Sequence, residues 1–576
     1  MRKMNMLLAL LFAVLLAGCC YDDKGNLVSY GDCPVVIVDT IPNATFKCNG
    51  ASCGNALSAY SGTDVNVWSY KNDYTTSAAL SVSIANIPNK EVTVVYTNEG
   101  TTSVNLPSIP VDTTLKSDLY NGEYREKFYE FKEPDFMGDN LPELININNL
   151  NPNQISQLKA WLAKNPLYNN YSLVNSLSTL SEEDTEEFYE FREPDFMMDN
   201  PPELIESDDF STSQTPPLKA WSVGNPRTWK VHSDYSPINR QTTLKKQLTV
   251  GGRTINIWVE DSEYANGRMN DAKINYIASN VGTVYANVVK AAGEPWGARK
   301  ASNLISGDQP LDIVFFNSGG SIGGYYWSRN SYTGYSSTSN EAVVVFVCTV
   351  GTGGSEKFML STIAHEITHA INFYQRYVLM GSSNDYETFL EEMTAVMMED
   401  VVAGQISYNY TMYGYINWLN IPLYHCDFTN WGGCSGSSYS VAGSFGSFLL
   451  RQYGIDFYKT LLRTSGSSTD ALDKAIKVYD SGGLKKALRN WGASIAMFPA
   501  AASPKGFGYP ARFNDNGFNL SAFDGNTYRR YRKLPTYSPS TLAPNAHFPF
   551  LRKATGDVYN DSFIVPKGVS VSIVVK

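Results

Sequence analysis

Histidine and positive charge are both scarce in this chain. Its 576 residues include five histidines, and 46 lysines and arginines stand against 56 aspartates and glutamates, which gives a net charge of −10. This balance leaves no large cationic surface to neutralise phosphates, and it therefore argues against DNA or RNA as the main partner. Charged residues make up only 18% and hydrophobic residues 43%, which excludes a coiled coil or a wholly disordered chain. The composition instead indicates a globular chain of several domains.

The N-terminal apolar stretch, residues 6–18, is shorter than the roughly 20 residues that a membrane-spanning helix needs. It follows Arg2 and Lys3 and ends in Leu-Ala-Gly before Cys19, a pattern similar to a bacterial lipoprotein signal. We expect residues 1–18 to be removed and Cys19 to carry acyl chains, which would anchor the protein in the bacterial cell envelope, at the outer membrane or the cell surface. An ordinary signal peptide with coincidental cysteines is the alternative.

The chain has only eight cysteines, and an exported protein can oxidise them. Cys426 and Cys434 flank a short polar loop and are predicted to pair. Cys348 lies in an apolar run and is predicted to be a buried small side chain. The four remaining cysteines after Cys19 allow two bridges in three arrangements; they are Cys20, Cys33, Cys48 and Cys53.

Hydrophobic periodicity divides the rest of the chain into regions. Apolar and polar side chains alternate over residues 80–84, and every second residue from Val569 to Val575 is apolar, as strands require. Residues 274–291 instead carry an apolar stripe at helical spacing. Short apolar runs at 311–316 and 342–347 predict buried strands. We expect five regions in order: a signal peptide (1–18), an N-terminal β domain (19–120), a linker (121–228), an α+β domain (229–505) and a C-terminal β segment (506–576).

The linker contains an internal repeat with a period of 60 residues. The sequence FYEFKEPDFM at 128–137 returns as FYEFREPDFM at 188–197, and LKAW at 158–161 returns at 218–221. The copies are acidic, proline-containing and rich in aromatics, a composition typical of docking segments on a tether. A duplicated spacer without a binding role is the alternative.

A helix predicted at 356–380 contains the sequence His365-Glu366-Ile-Thr-His369. Residues four apart lie on the same helix face, so both imidazoles can reach one metal ion while Glu366 lies beside them. This pattern predicts a zinc site with Glu366 as the general base. Two buried histidines without a metal would need other polar partners.

A catalytic zinc site needs a third protein ligand and one open position. The carboxylate-rich segment 387–400 begins 18 residues after His369, a gap that permits a return helix. His425 is a weaker candidate because nothing periodic surrounds it. Glu399 or Asp400 could orient a ligand histidine, and Tyr439 or His425 could stabilise the oxyanion.

These residues resemble the gluzincin metallopeptidases, specifically the hyicolysin family of secreted bacterial neutral metalloproteases. The resemblance covers about residues 231–465, and it rests on the HEITH helix followed by a Leu-Glu-Glu helix. It implies a zincin-type domain in region 229–505, with Glu391 at the family's Asn position and Glu392 at the metal-binding Glu. The implied ligands are therefore His365, His369 and Glu392.

The resulting prediction is a lipid-anchored zinc endopeptidase that hydrolyses proteins or peptides outside the cytoplasm. Its partners would be these substrates and, through Cys19, a membrane, with no nucleic acid. The alternative is a catalytically silent surface adhesin or scaffold that uses the acidic aromatic repeats.

Overall fold

A computed structural model describes most of the chain outside the repeat linker. The described residues are 20–21, 27–28, 42–62, 65–87, 90–111, 201–206, 220–234, 236–319, 322–335, 337–350, 355–404, 406, 415, 426–431, 438–497, 504–523, 534–535, 537–552 and 556–576. Cys19, residues 112–200 and residues 207–219 lie outside them, and with these the whole first repeat copy and most of the second. The lipid anchor and the structure of the repeats therefore stay predictions.

The strands are concentrated near the two ends of the chain and in a block before residue 350. In order they are β1 Cys20–Tyr21, β2 Leu27–Val28, β3 Asn43–Cys48, β4 Ala51–Ser52, β5 Ser58–Ser61, β6 Asn66–Lys71, β7 Ala78–Ala85, β8 Val92–Asn98, β9 Val104–Asn105, β10 Pro226–Asp234, β11 Ser236–Val250, β12 Arg253–Glu260, β13 Leu311–Phe316, β14 Gly324–Tyr326, β15 Val343–Cys348, β16 Arg512–Asp515, β17 Phe518–Leu520, β18 Thr541–Leu542, β19 His547–Arg552, β20 Val558–Val565 and β21 Val569–Val575.

The α-helices of the described residues lie between residues 261 and 496. In order they are α1 Asp261–Ala265, α2 Asp271–Ala292, α3 Glu356–Asn372, α4 Thr388–Ala403, α5 Ser438–Tyr453, α6 Ile455–Arg463, α7 Thr469–Lys477 and α8 Gly483–Ala496. None of the helices in this described part of the chain has both the length and the apolar content needed to cross a bilayer.

One mixed sheet of six strands supports the central domain, in the order β10-β11-β12-β13-β15-β14. Strands β12, β13 and β15 are parallel, and β13 and β15 are buried along their whole length, as expected for continuous apolar runs. Helices α2 and α3 contribute to the large core together with β12, β13 and β15. An aromatic cluster that includes Trp229, Trp258 and Phe346 forms a separate core from alternate strand positions.

Strands from both ends of the chain build a second unit, a β-sandwich. Its sheets have the orders β19-β8-β21-β6-β5 and β20-β7-β3-β4, and their facing side chains share one core. The last strand, β21, lies between β8 and β6 and is antiparallel to both. The N-terminal β region is therefore present, and the C-terminal strands share its sheets. The region boundaries at 120, 228 and 505 stay predictions.

The sandwich packs directly on α8 of the central domain. Arg489 donates to Glu99 Oε1 at 2.7 Å, and both side chains are almost fully buried. The His547 ring lies edge-on against Trp491, with 4.9 Å between ring centroids. This packing explains why all of β21 is buried although its side chains alternate: Val574 joins a small core with α8 on the face away from the sandwich interior.

The described cysteines agree in part with the expected pairing. Cys48 and Cys53 form a disulfide, and Cys426 also belongs to one. Cys434 lies outside the described residues, so its pairing with Cys426 stays a prediction. Cys348 is a free, fully buried thiol in β15, as its apolar run predicts.

Candidate metal centre

Helix α3 carries the two histidines through the core of the central domain. The Ser355 hydroxyl caps its N-terminus by accepting a hydrogen bond from the Phe358 amide, and every residue from Phe358 to Asn372 is buried. The predicted single helix at 356–380 is divided in the structure, because residues Phe373–Val378 form a π-helical turn. The π-helical turn begins four residues after His369, so both histidines lie in regular α-helix.

His365, His369 and Glu392 converge at one point between α3 and α4. Their ligand atoms all lie within 4.8 Å of one another, and all three residues are buried. Glu392 Oε2 is 3.2 Å from His365 Nε2, and Glu392 Oε1 is 3.8 Å from His369 Nε2. Both Nε2 atoms therefore face a single carboxylate.

The Nδ1 atom of each histidine contacts a carboxylate of its own. Glu399 Oε1 lies 2.8 Å from His365 Nδ1, and Glu391 Oε2 lies 3.0 Å from His369 Nδ1. Glu392 points between the imidazoles while Glu391 reaches around to the back of one ring, because consecutive helical residues differ by about 100° in direction. The two adjacent glutamates thus occupy different places.

Two hydrogen-bond donors keep these outer carboxylates in place. The Ser361 hydroxyl donates to Glu399 Oε2 at 2.6 Å, and the Asn372 amide donates to Glu391 Oε2 at 2.7 Å. Neither donor was predicted from the sequence. A signal for them exists, since Ser361 precedes His365 by four residues and Asn372 follows His369 by three, which places each pair on one helix face.

Asp400, the other candidate for orienting a histidine, has a different role. It forms a buried ion pair with Arg451 of α5, in which Arg451 Nη2 donates to Asp400 Oδ1 at 3.0 Å. This pair fixes α4 against α5 and leaves Glu399 as the partner of His365.

Glu366 is buried beside the two imidazoles. Its Oε2 has no hydrogen-bond partner among the described residues. Burial raises the pKa of Glu366 to about 7, although the His365 and His369 imidazoles lower it. A buried carboxylate with an unsatisfied oxygen is suited to bind a proton of a polar ligand.

Gly324 of β14 makes room for this carboxylate. A Cβ at that position would lie 2.6 Å from both the Phe346 carbonyl oxygen and the Thr362 methyl, and 3.1 Å from Glu366 Oε1. Only glycine permits the edge strand to approach α3 so closely.

The charges of the cluster favour a cation. Burial lowers the pKa of His365, but hydrogen bonds to Glu392 and Glu399 outweigh this effect and hold the pKa well above its usual value. In the absence of a metal, a proton on His365 therefore neutralises part of the negative charge. A divalent ion bound by the same atoms would displace that proton.

Tyr439 and His425 were the candidates for stabilising the oxyanion. The Tyr439 ring lies 6.4 Å from the His365 ring and packs edge-on against Trp431. It is therefore close to the cluster, at the start of α5. His425 lies outside the described residues.

Known proteins similar to this chain include a peptidase family and a metalloprotease. Residues 236–576 match the family described as Peptidase M30, and residues 47–111 match a domain of unknown function, DUF8571. The neutral metalloprotease ShpI of Staphylococcus hyicus is 25% identical over 253 residues, which cover 41% of this chain and 54% of that protein. The match thus spans about half the length of that curated relative. Since the M30 match covers more than half of the chain and confirms the expected resemblance, the chain belongs to the peptidase M30 family.

Proposed function

We propose that this protein is a zinc-dependent endopeptidase with a zincin-type catalytic domain, and that it hydrolyses proteins or peptides outside the cytoplasm. The observation that carries the proposal is the convergence of His365, His369 and Glu392 within 4.8 Å, with the Glu366 carboxylate buried beside them. Membership in the M30 family and the likeness to a metalloprotease support hydrolysis over a silent scaffold.

The donor set fits zinc. Two imidazoles and one carboxylate are the ligands of many catalytic zinc sites, which keep a further position open for water or substrate. Both histidines use Nδ1 to contact an outer carboxylate, an arrangement that fixes each ring with Nε2 directed inward. When bound, zinc would supply Lewis-acid polarisation of the scissile carbonyl and acidify a water molecule.

Glu366 is the proposed proton carrier. Its carboxylate would accept a proton from the attacking water and return it to the nitrogen of the leaving amine. Glu366 differs in direction from His365 by about 100°, so it lies beside the ligands without being one of them. The unsatisfied Oε2 provides the atom for this transfer.

Tyr439 is the proposed donor to the oxyanion that develops on the carbonyl. Its ring packs near His365, and a phenol hydroxyl is a suitable donor for such a charge. Tyr439→Phe should reduce kcat while zinc content stays unchanged, whereas a purely structural role would instead lower the unfolding temperature.

The proposed location is the bacterial cell envelope, with a lipid anchor at Cys19. The lipobox-like sequence before Cys19 supports this location, and the acidic repeat region 121–228 would serve as the linker to the catalytic domain. Cys19→Ala should abolish acylation and release the full chain from membranes. Membrane association that is unaffected by this change would contradict the anchor.

The test of catalysis is Glu366→Gln, with Glu356→Gln as a matched control at the start of the same helix. We expect Glu366→Gln to keep bound zinc and to lose casein hydrolysis by several orders of magnitude, because the base is removed and the ligands are not. Glu356→Gln should behave as the parent. Full hydrolysis by Glu366→Gln would refute the mechanism, and a zinc-loaded parent without any hydrolysis would favour the scaffold.

A further inference from the structure

Residues 201–206, in the middle of the second repeat copy, dock on the peptidase domain through their backbone. The Tyr332 hydroxyl donates to the Pro202 carbonyl at 2.6 Å, and the Tyr377 hydroxyl donates to the same oxygen at 3.2 Å. Both tyrosines belong to the central domain, and Tyr377 lies in the π-helical turn that follows the histidine helix. The linker is thus attached beside the element that carries the metal ligands.

The next residues of the segment pair with a short stretch before β13. The Asn303 side chain binds the backbone on either side of Leu204. Its amide nitrogen donates to the Glu203 carbonyl at 2.9 Å, and its oxygen accepts from the Ile205 amide at 3.1 Å. The Ser302 amide donates to the Ile205 carbonyl at 2.8 Å, and Glu206 forms an antiparallel bridge with Ala301. We use the name docking groove for Ala301, Ser302, Asn303, Tyr332 and Tyr377.

Few side chains of the docked segment contribute to this contact. Leu204 packs against the large core, whereas Glu203 and Glu206 are exposed and Ile205 is 61% exposed. The groove therefore recognises an extended backbone with one leucine, and it places few demands on the other side chains.

The chain contains the same motif a second time. Residues 202–205 read Pro-Glu-Leu-Ile, and residues 142–145 read the same, 60 positions earlier (202 − 142 = 60). Position 141 is leucine where 201 is proline, but position 201 contributes a carbonyl oxygen, which every residue has. Position 146 is asparagine where 206 is an exposed glutamate.

We propose that the docking groove accepts either copy of the motif, and that residues 142–145 of the same chain replace residues 202–205. The described contacts use backbone atoms and Leu204, whose equivalent is Leu144, so the first copy satisfies the same requirements. Both copies belong to one chain, so each meets the groove at a local concentration on the order of mM, and the first copy competes with the second even at low intrinsic affinity.

The exchange has a defined effect on the linker. Each acidic aromatic decapeptide ends five residues before its Pro-Glu-Leu-Ile motif, at 197 before 202 and at 137 before 142. Either copy would therefore bring its own decapeptide to the same edge of the peptidase domain. The length of linker between the sandwich and the docking groove would differ by 60 residues between the two arrangements.

Disulfide trapping in the full chain tests this exchange without any measurement of catalysis. Antiparallel bridge partners have Cα atoms within disulfide range, so Ala301→Cys with Glu206→Cys should cross-link within one chain. The test pair is Ala301→Cys with Asn146→Cys, in a background where Leu204→Asp weakens the second copy. The control pair replaces Asn146→Cys with Ser176→Cys, which lies between the two motifs.

We expect roughly tenfold more intrachain cross-linking for the test pair than for the control pair, measured by mass spectrometry of peptides from the monomer. Cross-linking of the test pair should fall when Leu204 is restored. Equal cross-linking of test and control pairs would overturn the proposal, as would test-pair links found only between chains. If Leu204→Asp unfolds the protein, Leu204→Ser provides a milder background. Failure of Ala301→Cys with Glu206→Cys to cross-link would overturn the docked arrangement itself.

Discussion

Neutralising the two adjacent glutamates one at a time should separate their roles at the metal centre. Glu392 faces both His365 Nε2 and His369 Nε2, whereas Glu391 contacts His369 Nδ1 and accepts from Asn372. Glutamine keeps the length of glutamate and a carbonyl oxygen, so Glu391→Gln retains both hydrogen bonds and loses only the negative charge.

The expected cost of Glu391→Gln follows from that difference. Hydrogen bonds to charged groups contribute about 1.5–3 kcal/mol and neutral ones about 0.5–1.5 kcal/mol, so the change should cost about 1–1.5 kcal/mol. At 1.4 kcal/mol for each factor of ten, zinc affinity should fall about tenfold, at the lower end of the ~10–100-fold effect of outer partners. Glu392→Gln removes a ligand and should exceed this range.

Competition with a chelator, followed by measurement of bound zinc, gives both affinities on folded protein. We expect Glu391→Gln to hold zinc at a chelator concentration that strips Glu392→Gln completely. The thermal midpoint of each metal-free variant shows whether the fold is intact. If Glu391→Gln is zinc-free while Glu392→Gln keeps its zinc, the metal ligand is Glu391. If both variants bind zinc as tightly as the parent, neither glutamate is a ligand.

Three further predictions concern the sandwich and the edge strand. Deleting residues 42–111 should abolish cooperative thermal unfolding, because the four apolar side chains of β21 that face the sandwich core, worth ~1.5–3 kcal/mol each, would lose their burial. This loss is comparable to the ~5–15 kcal/mol that stabilises a whole protein. A soluble deletion with the parental midpoint would contradict this. Burial lowers the pKa of His547 to about 3, so the unfolded state binds the proton more readily, and the free energy of unfolding should fall as the pH drops below ~6.5, by about 2 kcal/mol at pH 5. Urea unfolding should show this loss in the parent and not in His547→Gln. The same pH dependence of stability in both proteins would refute it. Gly324→Ala should cost ~1–3 kcal/mol of stability by overpacking. It should also reduce hydrolysis more than it reduces zinc content, because the new methyl would crowd Glu366. Unchanged activity would show that the strand can shift.

Local patterns predicted the central domain well. The apolar run at 311–316 coincides with β13, and the run at 342–347 lies one residue from β15. The spacing of His365 and His369 was enough to place both rings on one face, because that relation depends only on helix geometry. These features are short-range, so neighbouring residues determine them.

The remaining features depend on how separate elements meet. Whether Glu399 or Asp400 reaches His365 depends on the rotation of α4 against α3, which a periodic pattern does not specify. The pairing of β21 with β6 and β8 joins opposite ends of the chain, and alternation alone does not show which strands are neighbours. Alternation likewise does not show that α8 covers the second face of β21, where Val574 is buried.

The sandwich can be completed only after its last strand, β21, has been synthesised. The hydroxyls of Ser69 and Ser572 lie 2.7 Å apart although 503 positions separate them along the chain. A polypeptide that emerges from its N-terminus first presents the edges of β6 and β8 while the entire central domain is still to come. Contacts of such long range form slowly, and open strand edges can pair with other chains in the meantime. Arrival of the final strand is therefore the event that ends this exposure, and a chain that stops before Val569 would keep it permanently.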